Sequence, residues 1–171
     1  MRMNIRLKRG LLTLATLLWM GQIYGFSADT AEQSSGLSAM VCSFIAGIFI
    51  RGFDAMSPAE QEAVTESMQI FVRKGAHVTE YAILGILLLL TFASYGLKRA
   101  VALALTAGLL YAALDEYHQR FVPGRSGQAK DVLIDACGLL LGLAAVRGAE
   151  HFLQIIKEKK KYRAADAGPK A

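Results

Sequence analysis

Disulfide bracing, internal repeats and nucleic-acid motifs are all missing from this sequence. Two cysteines in 171 residues, Cys42 and Cys137, make no disulfide framework. They fall in different segments, Cys137 inside an apolar run, and read as packing residues. No stretch repeats another, which argues against a transporter built from related halves. The first apolar run, Leu11 to Phe26, follows Arg2, Arg6, Lys8 and Arg9 as a secretory signal would, but it lacks a good cleavage site. Cutting after Ala28 would put Phe26, and cutting after Gly25 would put Ile23, where a small residue is needed. The run therefore reads as an uncleaved signal-anchor helix. A net charge of +5 would suit nucleic acid, yet no such motif accompanies it and the charge is sorted by position.

Apolar sequence is what the chain has in abundance. Hydrophobic residues make up 54% of it and its mean hydropathy is +0.36, a membrane composition with length for one domain. Three more apolar runs follow the first: Tyr81 to Phe92, extendable to Tyr95; Ala100 to Leu114; and Val132 to Val146. Each is shorter than the roughly 20 residues that cross a bilayer core. Their ends must take in polar flanks, which puts His77, Glu80, Asp115, Glu116 and Asp131 near headgroup depth. With the N-terminus inside, segments 1–10, 96–99 and 147–171 hold 13 of the 19 Lys and Arg but only three acids, Glu150, Glu158 and Asp166. The other side holds six basic residues and 11 acids. Lysine and arginine concentrate on the cytoplasmic side, so four spans with both ends inside are expected. For a bacterium this describes a multi-pass inner-membrane protein with its polar cluster on the outer face. A four-helix transmembrane domain over 1–148 would precede a basic cytoplasmic tail over 149–171, whose Lys157, Lys159, Lys160, Lys161 and Arg163 would attract lipid.

The stretch from Leu37 to Phe49 differs from the spans. Leu37, Met40, Val41, Phe44, Ile45, Ile48 and Phe49 form one stripe on a helix. Ser34 or Ser35 can cap its start. Two readings stand side by side: an amphipathic helix in the first outer loop, lying on the membrane or over the bundle, and a core helix of a small cap. Ser57-Pro58-Ala59-Glu60 carries a capping box with proline in the first turn. The helix it starts can run into the second span, with Gly75 as a candidate kink. Ala104, Gly108 and Ala112 on the third span, and Gly138 and Gly142 on the fourth, have the spacing of closely packed membrane helices.

The polar cluster is dense at the span boundaries, where ionisable groups are costly to hold and mark working sites. Arg73, His77, Glu80 and Leu84 share one helix face. Asp115 and Glu116 close the third span on the same side, Pro123-Gly124 makes a turn, and Arg125 precedes Asp131, with Asp135 one turn deeper.

These residues resemble the VanZ-like family. Lys74, His77, Glu80 and Tyr81 carry the first block; Asp115, Glu116, His118 and Gln119 the second; Pro123, Gly124 and Arg125 follow, then Asp131. Phe26-Ser27 also resembles the family's exit from the first helix, and the likeness runs from about Trp19 to Gly142. Asp135 stands where the family usually has asparagine, so it would be protonated or pair with His77 or Arg125. The resemblance implies an all-α integral membrane protein, a four-span bundle. It also implies an envelope role in a family named after a protein associated with low-level teicoplanin resistance. It singles out Lys74, His77, Glu80, Asp115, Glu116, Gln119, Arg125 and Asp131.

Three uses of the cluster follow. As structure, Lys74, Arg125, Glu80, Glu116 and Asp131 would neutralise one another in an ion-pair network. As a binding site, Arg73, Lys74, Arg120 and Arg125 would hold an anionic or lipid-linked envelope molecule, since the guanidinium fork matches phosphate. Lys74, Tyr81, Gln119, Arg125 and Asp131 are its binding residues. As a hydrolase or transferase acting on a lipid-linked phosphate or glycan, the cluster would use His77, Glu80, Asp115 and Glu116. There His77 would be a general base oriented by Glu80 or Asp115. A divalent metal on His77, Glu80, Glu116 and His118 is the other catalytic form. The binding reading is preferred; the bilayer is the expected partner in every case, and nucleic acid in none.

Overall fold

The computed structural model describes residues 4–166; Arg2 and the tail residues 167–171 lie outside them. In chain order come α1 (Ile5–Ala28), α2 (Ala31–Phe49), a 3-10 turn (Phe53–Ala55), α3 (Pro58–Ser94), α4 (Ala100–Gln119) and α5 (Ala129–Asp166). Among the described residues there is no strand. The four apolar runs fall within α1, α3, α4 and α5, each long and apolar enough to cross a membrane. The chain is an all-α, multi-pass membrane bundle, as its hydropathy requires.

The helices outrun the apolar stretches at their polar ends. α3 has 37 residues and at 1.5 Å per residue spans about 55 Å, against a hydrocarbon core about 30 Å thick. Its first half therefore projects beyond the bilayer. The expected capping box starts it: Ser57 N donates to the Glu60 carboxylate at 2.8 Å, and the Ser57 hydroxyl accepts from Glu60 N. Gly75 does not interrupt it. α5 overhangs at the opposite end, and its helix carries on from the span to Asp166.

Hydrogen bonds fix the directions. Arg9 Nε donates to Ser94 O at 3.0 Å, the Thr16 and Thr91 hydroxyls meet at 2.9 Å, and Trp19 Nε1 donates to Glu80 O at 2.9 Å. α1 is thus antiparallel to α3. Tyr111 donates its hydroxyl to Met20 O at 2.6 Å, and the Tyr24 ring lies 4.8 Å from that of His118, so α1 and α4 run the same way. α3 and α5 are also parallel, with Gly138 against Val78 and Gly142 against Ala82. The far end of the bundle consequently gathers the end of α1, the middle of α3, the end of α4 and the start of α5.

Small residues allow that seam to close. A methyl group on Gly138 or Gly142 would collide with the main-chain oxygen of Val78 or Ala82, and one on Gly85 would lie 2.8 Å from Leu139 O. Ala104, Gly108 and Ala112 are buried on α4, where Gly108 admits the Leu139 side chain. Lipid offers no hydrophobic gain for helix association, so such backbone-close packing must supply it. Ile23, Tyr81, Leu84, Leu89 and Leu139 fill the centre.

α2 decides between its two readings. It packs on α3, and its buried residues are the small ones, Ser38, Cys42 and Ala46. The large stripe faces outward instead: Met40, Phe44, Ile48 and Phe49 are all exposed. A core helix would do the reverse, so α2 lies over the bundle with its apolar face free. Cys42 is a packing residue as expected, but Cys137 is exposed. It sits one residue before Gly138, about 100° round the helix from the face that packs on α3.

Candidate functional site

The loop between α4 and α5 shapes the polar end. Arg125 N donates to Val122 O at 3.1 Å, and Gly124 has φ 74°. Proline followed by a residue of positive φ is the type II turn chemistry expected of Pro123-Gly124. Ala31 N donates to Pro123 O at 3.2 Å, tying this turn to the start of α2. Arg125 is thereby aimed back at α1, where its Nε donates to Asp29 O at 3.0 Å and its Nη2 to Phe26 O at 2.9 Å. The last carbonyls of a helix have no donors of their own and carry partial negative charge. The guanidinium fork supplies both needs. Burial lowers the Arg125 pKa, the nearby Arg73 charge lowers it further, and Asp29 opposes them.

Glu116 does the matching work at the start of α5. Its Oε2 accepts from Gln128 N at 2.9 Å, a carboxylate at the positive end of a helix.

His77 and Asp135 meet across the α3–α5 seam, with Nδ1 and Oδ1 3.2 Å apart. The Asp135 side chain is 0% exposed and that of His77 21%. Of the alternatives left by the sequence, Asp135 pairs with His77 and not with Arg125. Neither Glu80 nor Asp115 bonds to His77; the close parallel packing of α3 and α5 delivers Asp135 there first.

The ion-pair network of the structural alternative is not formed. Among the described residues the ion pairs are His77–Asp135 and the surface pair Arg147–Glu150. Lys74, Arg125, Glu80, Glu116 and Asp131 do not pair with one another; Arg125 and Glu116 bond to main-chain groups instead.

Two chambers open around these groups. The first, about 200 Å³, has an apolar side of Ile23, Phe26, Leu37, Val41 and Val72 and a polar side that includes Glu80 and Asp115. The second, about 410 Å³, is bordered by Glu66, Lys74, Glu116, Lys130 and Asp131. Arg73, His77, Gln119 and Arg125 line both and form their common wall.

Most residues singled out in the sequence therefore converge. Glu80 and Asp115 face the first chamber, Lys74, Glu116 and Asp131 the second, and His77, Gln119 and Arg125 both. Tyr81 does not: it is fully buried beneath, with its ring 6.4 Å from that of Tyr111, and borders neither chamber. As the residue after Glu80 it points about 100° round the helix, into the core. The metal set His77, Glu80, Glu116 and His118 is not assembled either. Among the described residues no three His, Cys, Asp or Glu side chains converge to hold a metal ion. His118 packs on Tyr24 instead.

Among the described residues seven buried polar atoms lack a hydrogen-bond partner: Ser27 Oγ, Arg73 Nε, Asp115 Oδ1 and Glu116 Oε1 belong to residues that line the chambers, while Tyr81 Oη, His118 Nδ1 and Asp135 Oδ2 belong to residues that do not. Sequence reasoning missed the apolar wall from α1 and α2. Its signal was present in Leu37 and Val41 on the α2 stripe, but only the packing of α2 turned them towards Arg73. Ser35, which accepts from Arg73 Nη2 at 3.0 Å, carried no such signal.

The family described as VanZ/LLP1 matches residues 12–153. No curated protein and no solved structure matches.

Proposed function

The chain belongs to the VanZ/LLP1 family, and from that premise we propose that its joined chambers bind an anionic, lipid-linked molecule of the cell envelope. The observation that carries this reading is the common wall. Arg73 and Arg125 line one cavity without a carboxylate in ion-pair contact with either. Two guanidiniums sharing a half-buried cavity repel each other, and a phosphate between them would relieve that repulsion through charge-assisted hydrogen bonds. The apolar side of the first chamber would hold the start of the lipid chain. Phe26, Leu37 and Val41 link it to the exposed stripe of α2, giving a lipid a continuous apolar path to the site.

Positive-inside sorting supports a reading with both termini in the cytoplasm and the chambers at the outer leaflet. The family is linked to teicoplanin resistance. In this reading any such effect of this chain runs through the bound surface molecule, so Arg125→Gln would abolish it.

Binding is tested with the full chain in nanodiscs and farnesyl phosphate as probe. Wild type binds it, Arg73→Gln with Arg125→Gln weakens binding at least about tenfold, as expected for charged hydrogen bonds worth ~1.5–3 kcal/mol each, and farnesol competes poorly. Equal affinity for farnesol would remove the anionic part of the proposal. Equal affinity for free phosphate would remove the lipid part.

A further inference from the structure

Asp135 holds His77 in one particular way. Its Oδ1 is 3.2 Å from Nδ1, and the side chain is sealed from solvent. A carboxylate on Nδ1 fixes that nitrogen as the N–H and leaves the lone pair on Nε2. Nε2 has no hydrogen-bond partner, yet it is absent from the buried unpartnered atoms, so it is open to the cavity. His77 lies in the wall common to the two chambers, beside Arg73 and Arg125. A base with a free lone pair, two guanidiniums and an apolar channel therefore meet at one place.

We propose that His77 is a general base, positioned by Asp135, for hydrolysis of the phosphoanhydride of a lipid-linked diphosphate. The inference rests on the binding reading above and adds a reaction to it. Water in the cavity attacks the outer phosphorus and gives its proton to His77 Nε2. The bond from that phosphorus to the bridging oxygen breaks, and the electron pair stays on the bridging oxygen. Orthophosphate and the lipid monophosphate leave, and His77 returns the proton to solvent. No redox change occurs. A phosphate leaving group needs no proton at neutral pH, so no general acid is required. Arg73 and Arg125 steady the charge on the transferred group, the role of preset donors in phosphoryl transfer. The one side-chain hydrogen bond of Asp135 among the described residues is to His77, and Asp135 is a positioning residue.

The test uses the full chain in nanodiscs with farnesyl diphosphate, reading orthophosphate release and, separately, probe binding. Wild type is expected to release orthophosphate. His77→Gln should still bind the probe and lose at least about 100-fold in rate, the usual contribution of a general base. Asp135→Asn, which can still accept from Nδ1–H, should lower kcat with little change in KM; a purely structural tie between α3 and α5 would lower thermal stability with kcat kept. Imidazole added to His77→Gly should restore part of the rate. Should these variants fail to fold, wild type in H₂¹⁸O decides: the label must enter orthophosphate and not farnesyl monophosphate. Binding without release by wild type overturns the reaction and leaves the binding reading intact. No binding overturns both. Equal turnover of inorganic diphosphate would overturn the lipid-linked substrate class.

Discussion

Arg125 and Asp29 stand 96 residues apart in sequence, yet Nε of one donates to the main-chain oxygen of the other at 3.0 Å. With the second bond to Phe26 O, one guanidinium closes the end of α1 and faces both chambers. Arg125→Lys keeps the charge but cannot reach both carbonyls with a planar fork. It should destabilise the protein by about 1.5–3 kcal/mol, the range for one charged hydrogen bond, as a lower melting temperature in detergent. A melting curve identical to wild type would contradict the capping role.

Gly142 allows α5 to touch α3 at Ala82. Gly142→Leu should cost about 3 kcal/mol or more, the upper range of overpacking, because the obstacle is backbone and cannot rotate away. Gly148, with nothing within 4 Å of its Cβ position, is the control. Gly148→Ala should be neutral or stabilising by up to about 1 kcal/mol. Thermal unfolding of the two variants side by side checks both signs.

Orientation is open to direct labelling. In a background of Cys42→Ser and Cys137→Ser, Ser126→Cys should react with a membrane-impermeant maleimide on intact cells. Lys98→Cys and Glu150→Cys should react only after lysis. The opposite pattern would put the chambers on the cytoplasmic side and overturn the outer-leaflet proposal.

Phe44 is 70% exposed on the stripe of α2. A nitroxide at that position should collide with oxygen, which concentrates in lipid, and one at Glu62 with a water-soluble nickel chelate. Nickel access at both positions would detach α2 from the membrane and with it the lipid path to the first chamber.

Much of the site was legible because its residues sit at the ends of apolar runs, where only a burial or a function keeps them. The spacing of Arg73, His77 and Glu80 places them on one helical face, and they do line one chamber. The turn at Pro123-Gly124 was equally readable, since few residues tolerate its φ. Tyr81 went the other way. It stands next to Glu80 in sequence, but a single helical step turns it into the core. His118 likewise met an aromatic ring of α1 that no local pattern announces. Nor could local pattern choose among the partners of Asp135, for all of them lie on other helices.

Hydropathy, charge sorting and small-residue spacing by themselves determined that this chain is a bundle of membrane helices with its polar residues gathered at one end, since each acts over a few residues along the chain. Only the tertiary structure decided what those residues do. The backbone-close seam of α3 and α5 gave Asp135 to His77, the loop turn gave Arg125 to α1, and the outward roll of α2 made one chamber wall apolar. Each of these depends on distances between segments far apart in sequence, which packing sets and periodicity does not record.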